Sequence, residues 1–237
     1  GSNGVMTLDR QTVYSVMMEC VAKDGDQAAS AWDSKASTQW FDGSSIVKDI
    51  ARKASDFLHP QKITALPALV ALSPQVFASL LAHCILPNFD GKEIEKERSI
   101  FCGKKGKKIV HPSITLIDDG TIDWGMKSAS SDFEGTPTQR TALISEGVLR
   151  NFLYDYNTAL HANAMATGNA TESGIEHTNV LVLGNQGSAD RYILIESVIG
   201  AHTSNPTSTS FSVTVDKAYL VEKEKKMPLA PFMISGS

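Results

Sequence analysis

The segment Asp132–Val148 reads DFEGTPTQRTALISEGV, and its turn and strand signals indicate antiparallel β-structure. The β-forming run Thr141–Ile144 leads into the turn Ser145-Glu146-Gly147, and Val148–Tyr154 again favours a strand. Two such runs joined by a short turn with glycine predict a β-hairpin. This part of the chain is therefore expected to be built from antiparallel strands.

Strand signals continue around this hairpin. Further strands are predicted at Ile114–Ile117, Asn179–Leu183, Tyr192–Ile199, Phe211–Val215 and Ala218–Val221. The run Tyr192–Ile199 could instead be a buried helix, because periodicity alone does not separate the two for a short apolar run. The pattern favours an α+β fold whose larger part is dominated by antiparallel strands.

The N-terminal part mixes strands with helices. Val13–Ala22 and Ala28–Ser34 lie on either side of DGDQ and predict another hairpin. Apolar residues then recur at helical spacing through Ile46–Leu58, which predicts an amphipathic helix.

A second helix is expected after a short buried strand at Pro67–Leu72. Ser73 is a good N-cap, and Pro74 suits the first helical position. We place a domain boundary just before this strand. Residues 1–64 are then the end of a mixed α/β N-terminal domain, and residues 65–237 form a β-rich C-terminal domain.

Composition limits the function classes. The chain has 237 residues and a net charge of −4, so it has no general attraction to nucleic-acid phosphates. The densest basic run, GKKGKK at residues 103–108, is interpreted as a solvated turn. Nucleic acid is therefore not an expected partner.

Cysteine usage and hydropathy bear on location. Cys20, Cys84 and Cys102 are too few and too scattered for a disulfide framework, which favours a reducing compartment, and the cytoplasm is expected. No apolar run approaches the roughly 20 residues that span a bilayer, so no membrane association is expected.

Several segments, in this order, resemble the TldD/PmbA family, historically called modulators of DNA gyrase. Asp132–Val148 resembles the family's D-x-E-G-x-P-T-x-R block and the hairpin that follows it. DDGT at residues 118–121 precedes this block, ATGNA at residues 166–170 follows it, and SNPTSTSFSV, AYLVE and MISGS resemble the closing strands. The resemblance covers roughly residues 40–237, and the chain resembles a fragment lacking the start of the N-terminal domain and the extreme C-terminus.

The resemblance implies a peptidase system. In the catalytic branch of the family, a H-E-x-x-x-H helix and a cysteine near the C-terminus hold zinc. Aligning SPQVFASLLAHC with that helix places Ala78 at the first histidine, Ser79 at the glutamate and His83 at the second histidine. Catalytic zinc needs three protein ligands and hydrolysis needs a base, which alanine and serine do not supply. The chain therefore resembles the PmbA-like branch, which lacks the motif, and we expect no catalytic residues and no metal in this chain.

The helix pattern gives the same expectation independently. Val76, Leu80 and Cys84 form an i, i+4, i+8 stripe typical of a regular packed helix, whereas residues five apart on such a helix are about 140° apart. A H-E-x-x-x-H site would need a widened turn. We therefore expect a regular helix with His83 partly buried at the edge of the stripe.

Two further features allow alternatives. Asp132 and Glu134 could act as an acid–base pair, but the following turn favours a charged turn fixed by an ion pair with Arg140. The strand Phe211–Val215 could accept a peptide along an exposed edge, or it could be an ordinary interior strand. Positions that match the family motifs and are expected to form framework or cleft are Asp132, Glu134, Gly135, Pro137, Arg140, Thr167, Gly168, Asn169, Asn205 and Phe211.

The sequence thus predicts a PmbA-like, non-catalytic subunit of a TldD/PmbA-type zinc metallopeptidase complex that contributes peptide binding and assembly. Its expected partners are a TldD-like catalytic subunit or a second copy of itself, and a peptide or unfolded protein. It needs no cofactor, because zinc is expected only in the catalytic partner. The alternative is a self-sufficient metal-dependent peptidase with an unorthodox site that includes His83.

Overall fold

The computed structural model describes residue 4 and residues 6–63, 69–185, 187–204, 210–223 and 225–236. It has mixed, mostly antiparallel sheets with few helices, and this confirms the predicted α+β class. The strands are β1 (Tyr14–Asp24), β2 (Gln27–Ser37), β3 (Val70–Leu72), β4 (Thr115–Asp119), β5 (Arg140–Ser145), β6 (Val148–Leu149), β7 (Asn179–Leu183), β8 (Arg191–Ile199), β9 (Phe211–Glu222), β10 (Lys225–Leu229) and β11 (Phe232–Gly236). The α-helices are α1 (Ser44–Asp56), α2 (Pro74–Leu80), α3 (Gly91–Glu95) and α4 (Tyr156–His161).

The chain divides into two compact units that do not follow its linear order. The first unit contains the described residues within Gly1–Gln11 and Cys84–Gln186. The second unit contains those within Thr12–His83, Gly187–Ser204 and Ser210–Ser237. The domain division at residue 64, made from the sequence, stays a prediction.

The predicted hairpin and helix are present as β1–β2 and α1, and they form one part of the second unit. The strands pair antiparallel from Tyr14 with Ser37 to Asp24 with Gln27. Helix α1 buries Ile46, Ile50 and Ala54 against the inner face of this hairpin. These three positions are spaced by four residues, so one helical stripe provides the apolar contact.

The larger sheet of the second unit has the order β10-β9-β8-β3, and β11 also pairs with β9. Strand β3 is parallel to β8 and the other pairs are antiparallel. The alternative of a buried helix at Tyr192–Ile199 is wrong, because this run lies in β8. The two strands predicted at Phe211–Val215 and Ala218–Val221 are one continuous strand, β9.

Strand β9 is an interior strand. Val215 pairs with Val198 of β8 on one side and with Phe232 of β11 on the other. Thr214 and Val215 are therefore not an exposed edge, because they pair with β8 on one side and β11 on the other. Among the described residues, Phe211, Ser212 and Val213 pair only with β11, so the interpretation of this part as an accessible edge stays a prediction. Phe211 itself pairs with Gly236 of β11.

The first unit contains an antiparallel sheet of order β6-β5-β4-β7. The predicted hairpin is present, with Glu146 at φ 50° and Gly147 at φ 79° in the tight turn between β5 and β6. Its second strand ends at Leu149 and does not continue to Tyr154. Leu116, Leu143 and Leu149 are buried on these strands.

No helix in the described part of the chain is long and apolar enough to cross a bilayer.

Candidate functional site

Three sequence motifs meet in the first unit: DDGT at residues 118–121, the D-x-E-G block that begins at Asp132, and ATGNA at residues 166–170. Asp118 links the first of these to the third. Asp118 lies near the end of β4 and is only 1% exposed. Its Oδ2 accepts hydrogen bonds from Asn169 Nδ2 at 2.8 Å and Thr178 Oγ1 at 3.0 Å, and its Oδ1 accepts one from the Thr178 amide at 2.6 Å. The DDGT and ATGNA segments are thus joined through a buried carboxylate.

Asp132 joins the third motif to this group. Its Oδ1 accepts hydrogen bonds from the amides of Glu134 at 3.0 Å and Thr136 at 2.9 Å, and its Oδ2 accepts one from the amide of Ala170 at 3.0 Å. Both oxygens therefore hold backbone in place. The expected ion pair to Arg140 is wrong, because Arg140 Nε instead lies 3.3 Å from Asp119 Oδ2.

The same turn approaches ATGNA so closely that only glycine fits at position 168. Gly168 has φ +73°, and a Cβ there would lie 2.5 Å from the carbonyl oxygen of Pro137. Backbone packs directly on backbone at this point. This contact accounts for the glycine in ATGNA.

Gly135, Glu134 and Thr167, which also belong to the motifs, shape or hold the backbone. Gly135 has φ 85° within the turn, and Glu134 Oε2 accepts a hydrogen bond from the amide of Tyr156 at the start of α4. Thr167 Oγ1 accepts a hydrogen bond of 2.8 Å from the amide of Tyr154. The same hydroxyl donates a hydrogen bond of 3.1 Å to the carbonyl of Tyr154. Asn205, also selected from the sequence, lies outside the described residues.

A cleft of about 510 Å³ lies over this group of motifs, within the first unit. Its lining includes Asp132, Phe133, Gly168 and Asn169 from the motifs. The charged and titratable lining residues outside the motifs are Lys127, Glu172, Glu176 and His177. The cleft is therefore lined by motif residues that were selected from the sequence and by charged residues that were not.

Asn169 supplies an unsatisfied acceptor beside the cleft. Its Nδ2 donates to Asp118 Oδ2 and to the carbonyl of Glu176, and these two acceptors fix the orientation of the amide. Its Oδ1 is buried and has no hydrogen-bond partner among the described residues. A buried acceptor without a partner is costly, and a bound donor would relieve that cost.

Burial changes the titration of two groups at this cleft. It raises the pKa of Asp118, although the hydrogen bonds from Asn169 and Thr178 lower it. Burial also lowers the pKa of His177, and the nearby Lys127 lowers it further, whereas Asp118 opposes this. The lowered pKa favours the neutral form of His177 at pH 7, and no described nucleophile is hydrogen-bonded to its ring.

The positions that the sequence predicted to match the family's metal helix, Ala78, Ser79 and His83, lie in the second unit. Ser73 caps α2 as predicted, its Oγ accepting a hydrogen bond from the amide of Val76 at 3.3 Å. Ala78 and His83 are exposed, and Ser79 is partly buried. The expectation of a partly buried His83 is therefore wrong.

The helix is also not regular. Residues Leu81–Ile85 form a π-helical turn directly after α2. At the carbonyl of Cys84, within this turn, the buried Asn88 side chain donates a hydrogen bond of 3.0 Å. The sequence missed this turn because the i, i+4, i+8 stripe is equally compatible with a local widening. A π turn rotates less per residue, so Ala78 and His83 are closer to one face than in a regular helix.

The residues at this helix do not fit a catalytic zinc. Ala78 has no ligand atom, and Ser79 cannot act as the general base that a glutamate would provide. Within the residues that the structure describes, no group of three or more His, Cys, Asp or Glu side chains is arranged to hold a metal ion. Ser79 instead lines a pocket of about 230 Å³, beside an ion pair of 2.8 Å between Lys53 Nζ and Glu196 Oε2.

Residues 67–237 match the family model of the PmbA/TldA metallopeptidase C-terminal domain. The chain belongs to this family. An uncharacterized protein of Methanocaldococcus jannaschii is 32% identical over 247 residues, which cover 100% of this chain and 58% of that protein. A metalloprotease TldD homolog of Haemophilus influenzae is 31% identical over 182 residues, covering 69% of this chain and 37% of the homolog.

The crystal structure of TldE from Thermococcus kodakarensis superposes with a TM-score of 0.85 and 28% identity. The match covers 95% of this chain and 54% of TldE. The chain thus spans little more than half the length of TldE and of the Methanocaldococcus jannaschii protein.

Sequence reasoning selected Asp132, Gly168 and Asn169 but missed Asp118 and His177. Asp118 was visible only as part of the DDGT turn, and its partners are more than 50 residues away. His177 has no ligand spacing to another histidine. Only the pairing of β4 with β7, which places Asp118 opposite Val180, brings these residues together.

Proposed function

We propose that this chain is a PmbA-like, non-catalytic subunit of a TldD/PmbA-type zinc metallopeptidase complex, to which it contributes peptide binding and assembly. The observation that carries the proposal is the pair Ala78 and Ser79 at the positions of the zinc-binding histidine and the catalytic glutamate. Without these two side chains, the helix has neither the ligand set nor the base that hydrolysis requires.

The cleft in the first unit supports the peptide-binding part. At about 510 Å³ it is within the usual size range of ligand sites, and it combines the exposed ring of Phe133 with the buried acceptor Asn169 Oδ1. Asp132 is not available as a general base in this proposal, because backbone amides already engage both of its oxygens.

The partner in this proposal is a TldD-like catalytic subunit or a second copy of the chain. The metalloprotease name of the TldD homolog from Haemophilus influenzae motivates the first choice. The cytoplasm is the proposed location, consistent with the free thiols of Cys20, Cys84 and Cys102.

Metal content and peptide cleavage together test this function. Elemental analysis of the purified chain is expected to find zinc well below one per chain. Cleavage of an unfolded polypeptide should require an added TldD-type metalloprotease. One zinc per chain that is lost in His83→Ala but kept in His202→Ala, with cleavage by the chain alone, would instead support the self-sufficient peptidase.

A further inference from the structure

A second, smaller pocket in the first unit has a lining whose charged residues are all basic. This pocket is about 240 Å³ in volume. Its charged lining residues are Lys105, from the GKKGKK turn, and Arg140, from the start of β5. Two basic residues that are 35 positions apart in the sequence thus line one cavity.

The lysine turn is held against the sheet by backbone bonds. The amide of Gly106 donates to the carbonyl of Leu149 at 2.8 Å, and the amide of Leu149 donates to the carbonyl of Lys107 at 3.0 Å. These two bonds fix the backbone on both sides of the turn next to β6. The backbone of the turn that carries Lys105 is therefore fixed relative to β6, whereas the lysine side chains are exposed to solvent.

Arg140 is oriented by one ion pair and keeps donors for another. Its Nε lies 3.3 Å from Asp119 Oδ2, and Asp119 Oδ1 is used by Thr121. Within the described residues, no hydrogen bond or ion pair engages the two terminal nitrogens of Arg140. An arginine in this state can present its planar terminal nitrogens to a carboxylate.

The positive charge is local. The chain as a whole carries a net charge of −4, whereas the turn has lysines at 104, 105, 107 and 108. None of these four has an ion-pair partner in the described part of the chain. Uncompensated charge at a concave surface produces a positive potential that attracts an anion.

The pocket walls define what kind of anion fits. Phe152, Ala164 and Met165 provide apolar lining, and Tyr154 is also among the lining residues. Burial raises the pKa of Tyr154, so its hydroxyl keeps its proton at neutral pH. A volume of about 240 Å³ is below the roughly 300 Å³ at which small-molecule sites begin, which favours one terminal residue over a nucleotide.

We propose that this pocket binds the C-terminal carboxylate of a peptide, with Lys105 and Arg140 contacting the carboxylate and the apolar wall contacting the last side chain. The inference rests on the proposed function, in which the chain binds peptides. It adds a site that binds the C-terminal residue of the peptide. This site is separate from the cleft over the motifs.

Fluorescence anisotropy with a matched peptide pair tests the proposal on the full chain. The probe is an N-terminally labelled hexapeptide without charged side chains and with a C-terminal leucine, either as the free acid or as the amide. The free acid is expected to bind about tenfold tighter, because hydrogen bonds to a charged group are stronger than neutral ones. Lys105→Ala and Arg140→Gln should each remove most of this difference. Lys108→Ala, in the same turn but outside the pocket lining, should preserve it.

The outcomes separate the two proposals. Equal binding of acid and amide would overturn the pocket while peptide binding stands. A preference for the acid that persists in both Lys105→Ala and Arg140→Gln would also overturn it, because the carboxylate would be bound elsewhere. If neither peptide binds, peptide binding by this chain is wrong and the pocket proposal fails with it.

Discussion

At the residue scale, Gly168 illustrates how a motif position can be a packing requirement. A side chain at this site would meet the backbone of Pro137 and Thr138, which cannot move aside as a flexible side chain can. The positive φ of +73° adds a second penalty for any other residue. The glycine thus maintains the contact between ATGNA and the D-x-E-G block.

We expect Gly168→Ala to lower the free energy of unfolding by about 2–4 kcal/mol, through backbone strain and steric overlap. Chemical denaturation monitored by fluorescence measures this. Gly187→Ala is the matched control, because a Cβ there meets no atom within 4 Å and should change stability little. Equal stability of the two variants would contradict the close contact at Gly168.

His177 gives a prediction about pH. Its pKa is lowered in the folded chain from the ordinary value of 6.5, so the unfolded chain binds a proton first as the pH falls. Its contribution to stability is therefore complete above about pH 6.5 and is lost as the pH falls below that value. His177→Gln should remove this part of the pH dependence.

The measurement is the free energy of unfolding at a series of pH values from neutral to mildly acidic. The exposed His202 provides a control, and His202→Gln should keep the wild-type profile. A His177→Gln profile parallel to that of the wild type would show that burial does not perturb the imidazole.

The sequence could identify Asp132 as important but not its partners. A pattern records side chains, whereas both oxygens of Asp132 accept hydrogen bonds from backbone amides, which every residue except proline has. Arg140 was therefore the side-chain partner of Asp132 that the sequence predicted. In the structure Arg140 pairs with Asp119.

At the element scale, the widened turn at Leu81–Ile85 remains in a helix that lacks the metal motif. Such turns cost regular hydrogen bonds and often occur at functional positions. Here the side-chain amide of Asn88 donates a hydrogen bond to the Cys84 carbonyl within the turn. The widened turn is thus present although Ala78 and Ser79 supply no metal ligands.

The widened turn predicts that a partial metal site can be introduced on this helix. The double variant Ala78→His, Ser79→Glu introduces an imidazole on the helix that carries His83 and supplies the missing carboxylate. The widened turn brings positions 78 and 83 closer to one face, so we expect zinc affinity at least about tenfold above that of the wild type. Competition with a chromogenic chelator measures it.

The same double variant with His83→Ala is the control and should lose the gain. A gain that does not depend on His83 would mean that the two positions do not act together, which would contradict the effect assigned to the π turn.

Elements with a strong periodic pattern were predictable, and local irregularities were not. The apolar spacing of Ile46, Ile50 and Ala54 specified α1, and Ser73 specified the start of α2. In contrast, β9 continues past Asp216 as one strand, because pairing with β8, β10 and β11 outweighs the weak strand propensity of Asp216 and Lys217.

At the scale of the whole molecule, the chain's charge bears on the historical family name, modulator of DNA gyrase. Duplex DNA binds proteins chiefly through clustered basic residues. The net charge of −4 opposes this, and the basic GKKGKK turn is short. The turn lies beside a pocket that fits a terminal carboxylate and not a duplex.

We therefore predict no direct binding of duplex DNA at physiological salt, with any dissociation constant weaker than about 10⁻⁴ M, the weak limit of non-specific binding. Anisotropy of a labelled duplex under titration with the chain measures this. At low salt, residual binding through the lysine turn should disappear in the double variant Lys104→Ala, Lys107→Ala. Micromolar binding at physiological salt that survives this double variant would reveal a DNA surface elsewhere on the chain. Micromolar binding that this double variant abolishes would mean that the lysine turn binds DNA despite the net negative charge of the chain, and would contradict the prediction.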